Sequence, residues 1–310
     1  MEEKLSSLEE VLANIFDATQ PLVDSKLVHL SDPTNQGLNL FKKAWGGASS
    51  QRQYEVLSQL VQLGEENLVL NFDDIFGFCL NEPDEKIRLE ALSGLEGTED
   101  PVFITPLIHL LKEDSAEKVR AAAAVVLGNF ALLAEVGELA VRHKDNVYSA
   151  LRDLLKNERE TMEVKRRALE AIAPFTSPEV EEFINKTYSS NSVKLKASAL
   201  YAMGRNCNPD WLPILIKELE NSQAEVRYEA ATACGELEDE EAIPYLVNLL
   251  EDEDAQVQDA AIRSLGKIGG AEAKETLQQL LHHPEDHVRR AAEAALEELL
   301  FWEEPLSFNL

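Results

Sequence analysis

The side chains best suited to metal or proton chemistry are six histidines, and three of them, His282, His283 and His287, lie close together. His283 and His287 are four residues apart, a spacing that lets two imidazoles on one helical face share a metal ion. Pro284 stands between them and interrupts such a face. The cluster is therefore predicted to straddle a loop and to hold no metal. Carboxylates are plentiful, as in Glu238-Asp239-Glu240-Glu241 and Glu251-Asp252-Glu253-Asp254. General acid or base work needs a carboxyl whose pKa its surroundings have displaced, and runs of adjacent acids read instead as solvated loops. Cys79, Cys207 and Cys234 are odd in number and show no metal-ligand spacing. Gly46-Gly47 and Gly269-Gly270 read as turns, not as a phosphate loop. No catalytic residue, cofactor or metal is predicted.

One charged set does recur. Arg88, Arg120, Lys165, Lys196, Arg227 and Arg289 each follow an apolar anchor, and small or apolar residues stand four, five and eight positions after that anchor. Anchors Val164, Leu195, Val226, Val257 and Val288 follow one another at an unvarying interval. A fixed period of this length, on the order of 30 residues, marks stacked repeats. The basic row is either a line of ligand contacts or a ladder of ion pairs between neighbouring repeats. Its recurrence once per repeat favours the ladder, since stacking interfaces recur in the same way.

The positioning elements are helices. Residues 5–18, about 31–47 and 50–63 carry apolar stripes at helical spacing, and residues 20–32 read as a connector. From Phe72 the repeat is legible, with Ile87 and Val119 as its first anchors. Val164 follows Val119 at a longer interval than the others. The excess is either a helix running on past Gly128 or an additional short helix within Ala131 to Val141. Ser177-Pro178, Asn208-Pro209 and Asp100-Pro101 have the form of a helix cap followed by a first-turn proline. Pro106, Pro213 and Pro244 stand at one shared distance before their anchors Val119, Val226 and Val257. That register suggests a common bend in the first helix of each pair.

The segments AEVRYEAATACGEL (224–237) and AQVQDAAIRSLGKIG (255–269) resemble HEAT repeats, in the short form first associated with phycobilisome lyases. The resemblance covers roughly residues 84–299. It implies an all-α chain, a right-handed α-α superhelix or HEAT-repeat solenoid of about eight helix pairs, presenting a concave face to a partner. Gln258 in place of a base, and Glu96 and Ala173 in place of a glycine, depart from the pattern. Some proteins of this kind are bilin lyase subunits, others metal-dependent hydroxylases, and many are adaptors. The hydroxylases use His-Glu pairs, and no histidine here precedes a glutamate. The expected organisation is one continuous solenoid: residues 1–70 a divergent helical cap, 71–300 the repeats, and 301–310 a tail. In the tail Trp302 and Phe308 either cap the last pair or form a docking element.

Composition restricts the partners. The chain carries 57 acids against 29 bases, a formal charge of −28. Nucleic-acid binding draws on Lys and Arg to displace counterions, and membrane surfaces are themselves anionic; neither partner is expected. No apolar run reaches the ~20 residues of a membrane span, no leader is evident at Met1-Glu2-Glu3-Lys4, and a cytoplasmic location is expected. At 100° per residue, positions two, three, six and ten after each anchor fall opposite the packed half of the helix. Six bases and five acids lie there, so this face is nearly neutral in a strongly acidic chain. Arg166, Arg167, Tyr201, Arg205, Tyr228 and Arg263 on it are either a groove for a protein or peptide or an ordinary mixed surface. Tyr and Arg are the residue types enriched at binding hot spots. The function expected is that of a non-enzymatic scaffold or adaptor. The alternative, from the resemblance alone, is a lyase-like or chaperone-like factor for a bilin and its carrier protein.

Overall fold

A computed structural model describes residues 2–303, with side chains from 8 to 301. It is all-α, with eighteen α-helices and no strand among the described residues. It divides into two compact units, Met1–Ala171 and Ile172–Leu310.

The first unit opens with α1 (Glu2–Ile15), a short α2 (Asp24–Leu27), α3 (Asn35–Gly46) and α4 (Ser50–Glu66). Caps set the starts of the last two: the Thr34 and Ser49 hydroxyls accept from the amides of Gly37 and Arg52. The connector predicted at 20–32 contains α2 and a 3₁₀ turn, which bury Leu27 and Leu30. The core here is aromatic. The rings of Phe16 and Phe41, and of Phe41 and Trp45, lie 5.5 Å apart. Paired helices follow: α5 (Asp73–Cys79) with α6 (Glu85–Gly94), α7 (Ile104–Glu113) with α8 (Glu117–Glu135), then α9 (Val141–Lys156) and α10 (Met162–Ile172). The extra residues are resolved in favour of a longer helix, since α8, 19 residues long, runs unbroken past Gly128 to Glu135.

The second unit repeats one theme: α11 (Pro178–Tyr188) and α12 (Val193–Asn206), α13 (Leu212–Glu218) and α14 (Ala224–Leu237), α15 (Ile243–Asn248) and α16 (Ala255–Ile268), α17 (Gly270–Leu280) and α18 (Asp286–Glu303). The second helix of each pair is called here the B helix, so α4, α6 and α8 are B helices of the first unit. Within the second unit α14 packs between α12 and α16, and α16 against α18. Ser177 and Asn208 cap as expected, accepting from the amides of Val180 and Asp210. The prolines at the shared position do not bend a helix interior. Pro213 and Pro244 occupy the first turn of α13 and α15, directly after 3₁₀ turns, and Pro106 is the third residue of α7. A first-turn amide has no intrahelical acceptor, so proline sacrifices nothing there.

Burial follows the repeat. Val164, Val226, Val257 and Val288 are buried, as are Ala230, Ala231 and Cys234 behind Val226. Leu195, in the same register, is only half-buried, although it is the third residue of its helix like Val226 and Val257. The tail residues 304–310, including Phe308, and the Trp302 side chain lie outside the described residues.

The B helices approach each other closely where one residue has no side chain. A Cβ added to Gly204 would lie 2.8 Å from the Cα of Ala233, and one on Gly235 would lie 2.9 Å from the Cα of Ser264. At Gly266 it would lie 2.9 Å from the Cβ of Ala295, and at Gly128 3.2 Å from the Cα of Ala171. Each glycine stands nine positions after its anchor and meets the small residue seven positions after the next. Gly204→Ala and Gly235→Ala are expected to destabilise the fold by about 1–3 kcal/mol each through overpacking. Gly46→Ala, which has open space around it, should cost nothing and gain about 0.5 kcal/mol from helix propensity. Thermal melts of the three variants check the contrast.

Candidate functional site

The recurring basic residues are built into the repeat. Arg88 holds Asp114 in a two-pronged pair at 2.7 and 3.0 Å, while its Nη1 donates to the carbonyls of Glu82 and Pro83. Arg120 does the same with Glu160 at 2.9 and 3.2 Å, its Nη1 donating to the carbonyl of Asp114. Arg227 grips Asp252 at 2.7 Å through both Nε and Nη2 and caps the carbonyl of Asn221. Lys196 reaches Glu218 at 3.2 Å. One side chain thus closes the end of the preceding helix in its own pair and anchors the corresponding end in the next pair. A planar guanidinium with several donors suits this double duty. Gln258 keeps only the first half, donating to the carbonyl of Asp252 at 2.8 Å. Arg289 also keeps the carbonyl half, donating to His283, and among the described residues pairs with Asp286 on its own helix.

Electrostatics matches this geometry. Burial of Asp252 works against its charge, but hydrogen bonds from Arg227 and from the Asp254 amide outweigh it and hold the carboxyl below the ordinary range. Burial is likewise overcome at Glu160 by Arg120 and the Thr161 amide. At Glu218 it is overcome by Tyr188, Asn221 and Lys196. The Tyr188 hydroxyl, half-buried and donating to Glu218, is pushed up to about 12 by that desolvation and by the carboxylate.

The predicted groove residues behave differently from one another. Arg166 and Arg167 are engaged within their own helix. Arg166 meets Glu163 at 2.6 Å and Glu170 at 2.9 Å, and Arg167 meets Glu170 at 2.9 Å. Two bases and two acids cancel there. In the second unit Tyr201, Arg205, Tyr228 and Arg263 stand on the successive helices α12, α14 and α16. Arg263 approaches the Tyr228 hydroxyl at 3.5 Å. Tyr201 and Arg263 are exposed, and Tyr228 and Arg205 are half-buried. Ten positions after the anchors the charges alternate along the unit as Arg205, Glu236, Lys267 and Glu298, and Lys267 pairs with Glu236. That alternation makes this edge of the face nearly neutral. A cleft of about 520 Å³ lies beside it, lined by Glu236, Lys267 and Glu298 and by the glycines that end α14 and α16.

The remaining candidates have local tasks. His282 and His283 fall between α17 and α18, with His287 just inside α18, so the cluster straddles a loop. His283 Nδ1 accepts from the Glu285 amide, and His287 Nε2 faces Gln258 Oε1 at 3.3 Å. Among the described residues no His, Cys, Asp and Glu side chains gather in a metal-holding group. Burial pushes the thiols of Cys79 and Cys234 up, the latter to about 12. Cys207 is exposed and holds the left-handed cap of α12. Trp211 is buried within its unit and donates to Asn206 Oδ1 at 3.0 Å.

Local sequence patterns do not mark the acidic partners of the ladder. Their signal is an acid 25 or 26 residues after an arginine, as in Arg88 with Asp114 and Arg227 with Asp252. The insertion stretches this to 40 residues for Arg120 with Glu160.

Residues 212–297 match the profile of HEAT repeats. No curated protein matches the chain. Among solved structures it is similar to the complex of CpcE and CpcF of phycocyanin lyase from Nostoc sp. (18% identity, 73% of this chain and 94% of that one, TM-score 0.47). It is also similar to an engineered protein (20% identity, 94% and 88%, TM-score 0.43). Human deoxyhypusine hydroxylase in complex with glycerol is a third (20% identity, 74% and 96%, TM-score 0.33). Likeness at this level reaches neither a reaction nor a partner.

Removing Asp252 leaves Arg227 buried without its anion, so Asp252→Ala is expected to cost about 3 kcal/mol. Asp286→Ala, which breaks the exposed pair with Arg289, should cost under about 1 kcal/mol. Glu160, Glu218 and Asp252 titrate below their unfolded values, which lie near 4. Their contribution is fully present above that pH and is lost as pH falls through the folded values. Melting temperature should therefore drop on acidification below about pH 4, and Asp252→Ala should flatten that drop. Denaturant and thermal melts across pH check both.

Proposed function

With HEAT repeats at residues 212–297 as the premise, we propose that this protein is a non-enzymatic scaffold that docks a protein or peptide segment on the exposed face of its B helices. The contact residues are Tyr201, Arg205, Tyr228 and Arg263 in the second unit; Arg166 and Arg167 on α10 of the first unit are a separate proposed contact. The observation that carries the reading is a division of labour among the bases. Arg88, Arg120 and Arg227 are consumed by the fold in paired, largely buried contacts. Arg263 and Tyr201 extend from the same layer of helices into solvent. Arginine and tyrosine offer large contact area together with hydrogen bonding at modest entropic cost. The formal charge of −28 disfavours a phosphate backbone as the ligand. Three unbridged cysteines suit a reducing cytoplasm.

Charge reversal tests the reading. Affinity purification with the parent chain should recover a partner that Arg205→Glu and Arg263→Glu each lose, with a weakening of about 2 kcal/mol or roughly thirty-fold in Kd for a hot-spot side chain. Arg167→Glu should weaken recovery as well, by less, because Glu163 and Glu170 already neutralise it. Unchanged recovery of every partner by all three variants removes these residues from any binding role.

A further inference from the structure

The longest helix of the first unit presents an apolar edge. Val125, Leu132 and Val136 follow one another on α8 and its C-terminal cap at spacings of seven and four, which places them on one side of the helix. All three are exposed, Val136 at 62%. The other sides of α8 are taken: α6, α7 and α9 pack against it, and Gly128 meets Ala171 of α10. The edge spans about 16 Å, three helical turns.

Two glutamates lie beside its middle, while Lys118 stands seven positions before Val125 on the same side of α8. Asn129, which lies within the stripe, donates its side-chain amide to the carbonyl of Glu96. Glu96 is exposed at the end of α6, and Glu65 is exposed in the last turn of α4. Burial and then the charge of Glu65 push the Glu96 carboxyl up. Neither glutamate has a lysine or arginine paired with it among the described residues. The second unit differs, since there Lys267 answers Glu236.

We propose that this edge of α8, with Glu65 and Glu96 beside it, docks a basic amphipathic helix of a partner protein. Aliphatic side chains at helical spacing would cover Val125, Leu132 and Val136, and a flanking Lys or Arg would lie between the two glutamates. A helix laid along an apolar groove is a recurrent mode of peptide recognition. A second copy of this chain fits poorly, because a body of charge −28 meets the two glutamates with repulsion. The surface is separate from Tyr201, Arg205, Tyr228 and Arg263 and shares with them only the premise that B helices dock protein segments.

The test uses the full chain and three labelled peptides followed by fluorescence anisotropy. One is a leucine-lysine helix with leucines at i, i+3, i+4 and i+7, the second is the same composition scrambled, and the third carries glutamate in place of lysine. The first should bind about tenfold or more tighter than either control. Leu132→Ser combined with Val136→Ser should weaken it by about tenfold, as should Glu65→Gln combined with Glu96→Gln at low salt. All four side chains are exposed, and circular dichroism confirms that each variant is folded. Equal binding of the scrambled or acidic peptide, or full affinity in the serine variant, overturns the proposal. None of these substitutions alters the second-unit residues, so failure here leaves the partner of that patch to its own test.

Discussion

A guanidinium that faces two ways sets the spacing of this fold. Through one nitrogen it closes the carbonyls at the end of a helix in its own pair. Through two others it holds a carboxylate at the corresponding end of the next pair, as Arg88 does with Asp114 and Arg227 with Asp252. Asp114 shows the join most clearly, because its carboxylate receives Arg88 while its backbone carbonyl receives Arg120. Helix ends carry unsatisfied carbonyls, and in a stacked array these would otherwise recur at every layer. The divergent N-terminal pairs solve the same problem with another arginine: Arg52 donates to the carbonyls of Ile15 and Gln20.

Close contact between B helices completes the joint. In the second unit Gly204, Gly235 and Gly266 let one backbone settle onto the small residue of its neighbour. The Ser264 hydroxyl is satisfied in the same interface by the Ala231 carbonyl. Polar ends and small-residue centres constrain different parts of each helix, so distance and rotation are both set. Little side-chain chemistry remains inside. What can vary without disturbing the stack is the exposed face of the B helices, and the tyrosines, arginines and valines singled out above occur there.

Much of this is legible in the chain itself. The constant interval from Val164 through Val288 exposes the anchors, and Ser177, Asn208 and Asp100 announce helix starts because a short polar side chain must meet a free amide. The depth of Leu195 is not legible, since a leucine in the anchor register carries no mark of partial exposure. The three aligned prolines read as a bend but serve as first-turn residues after 3₁₀ turns, a distinction that depends on where the helix begins to within one residue. The ladder's acids lie most of a repeat away from their arginines, beyond the reach of local patterns. As for the face of the B helices, sequence gives its residues and near-neutrality but not that Arg166 and Arg167 are held by Glu163 and Glu170.

Gln258 gives the second unit a direction. It caps Asp252 as an arginine would, but lacks the charged fork, and Arg289 beyond it pairs, among the described residues, within its own helix. Among the described residues the α17–α18 pair is therefore attached by apolar burial, the Gly266–Ala295 contact and the His287–Gln258 hydrogen bond, without the ladder's ion pair to its neighbour. In a linear stack each layer is stabilised chiefly by those adjacent to it. Amide protons of α17 and α18 would then exchange with solvent ahead of those in α14.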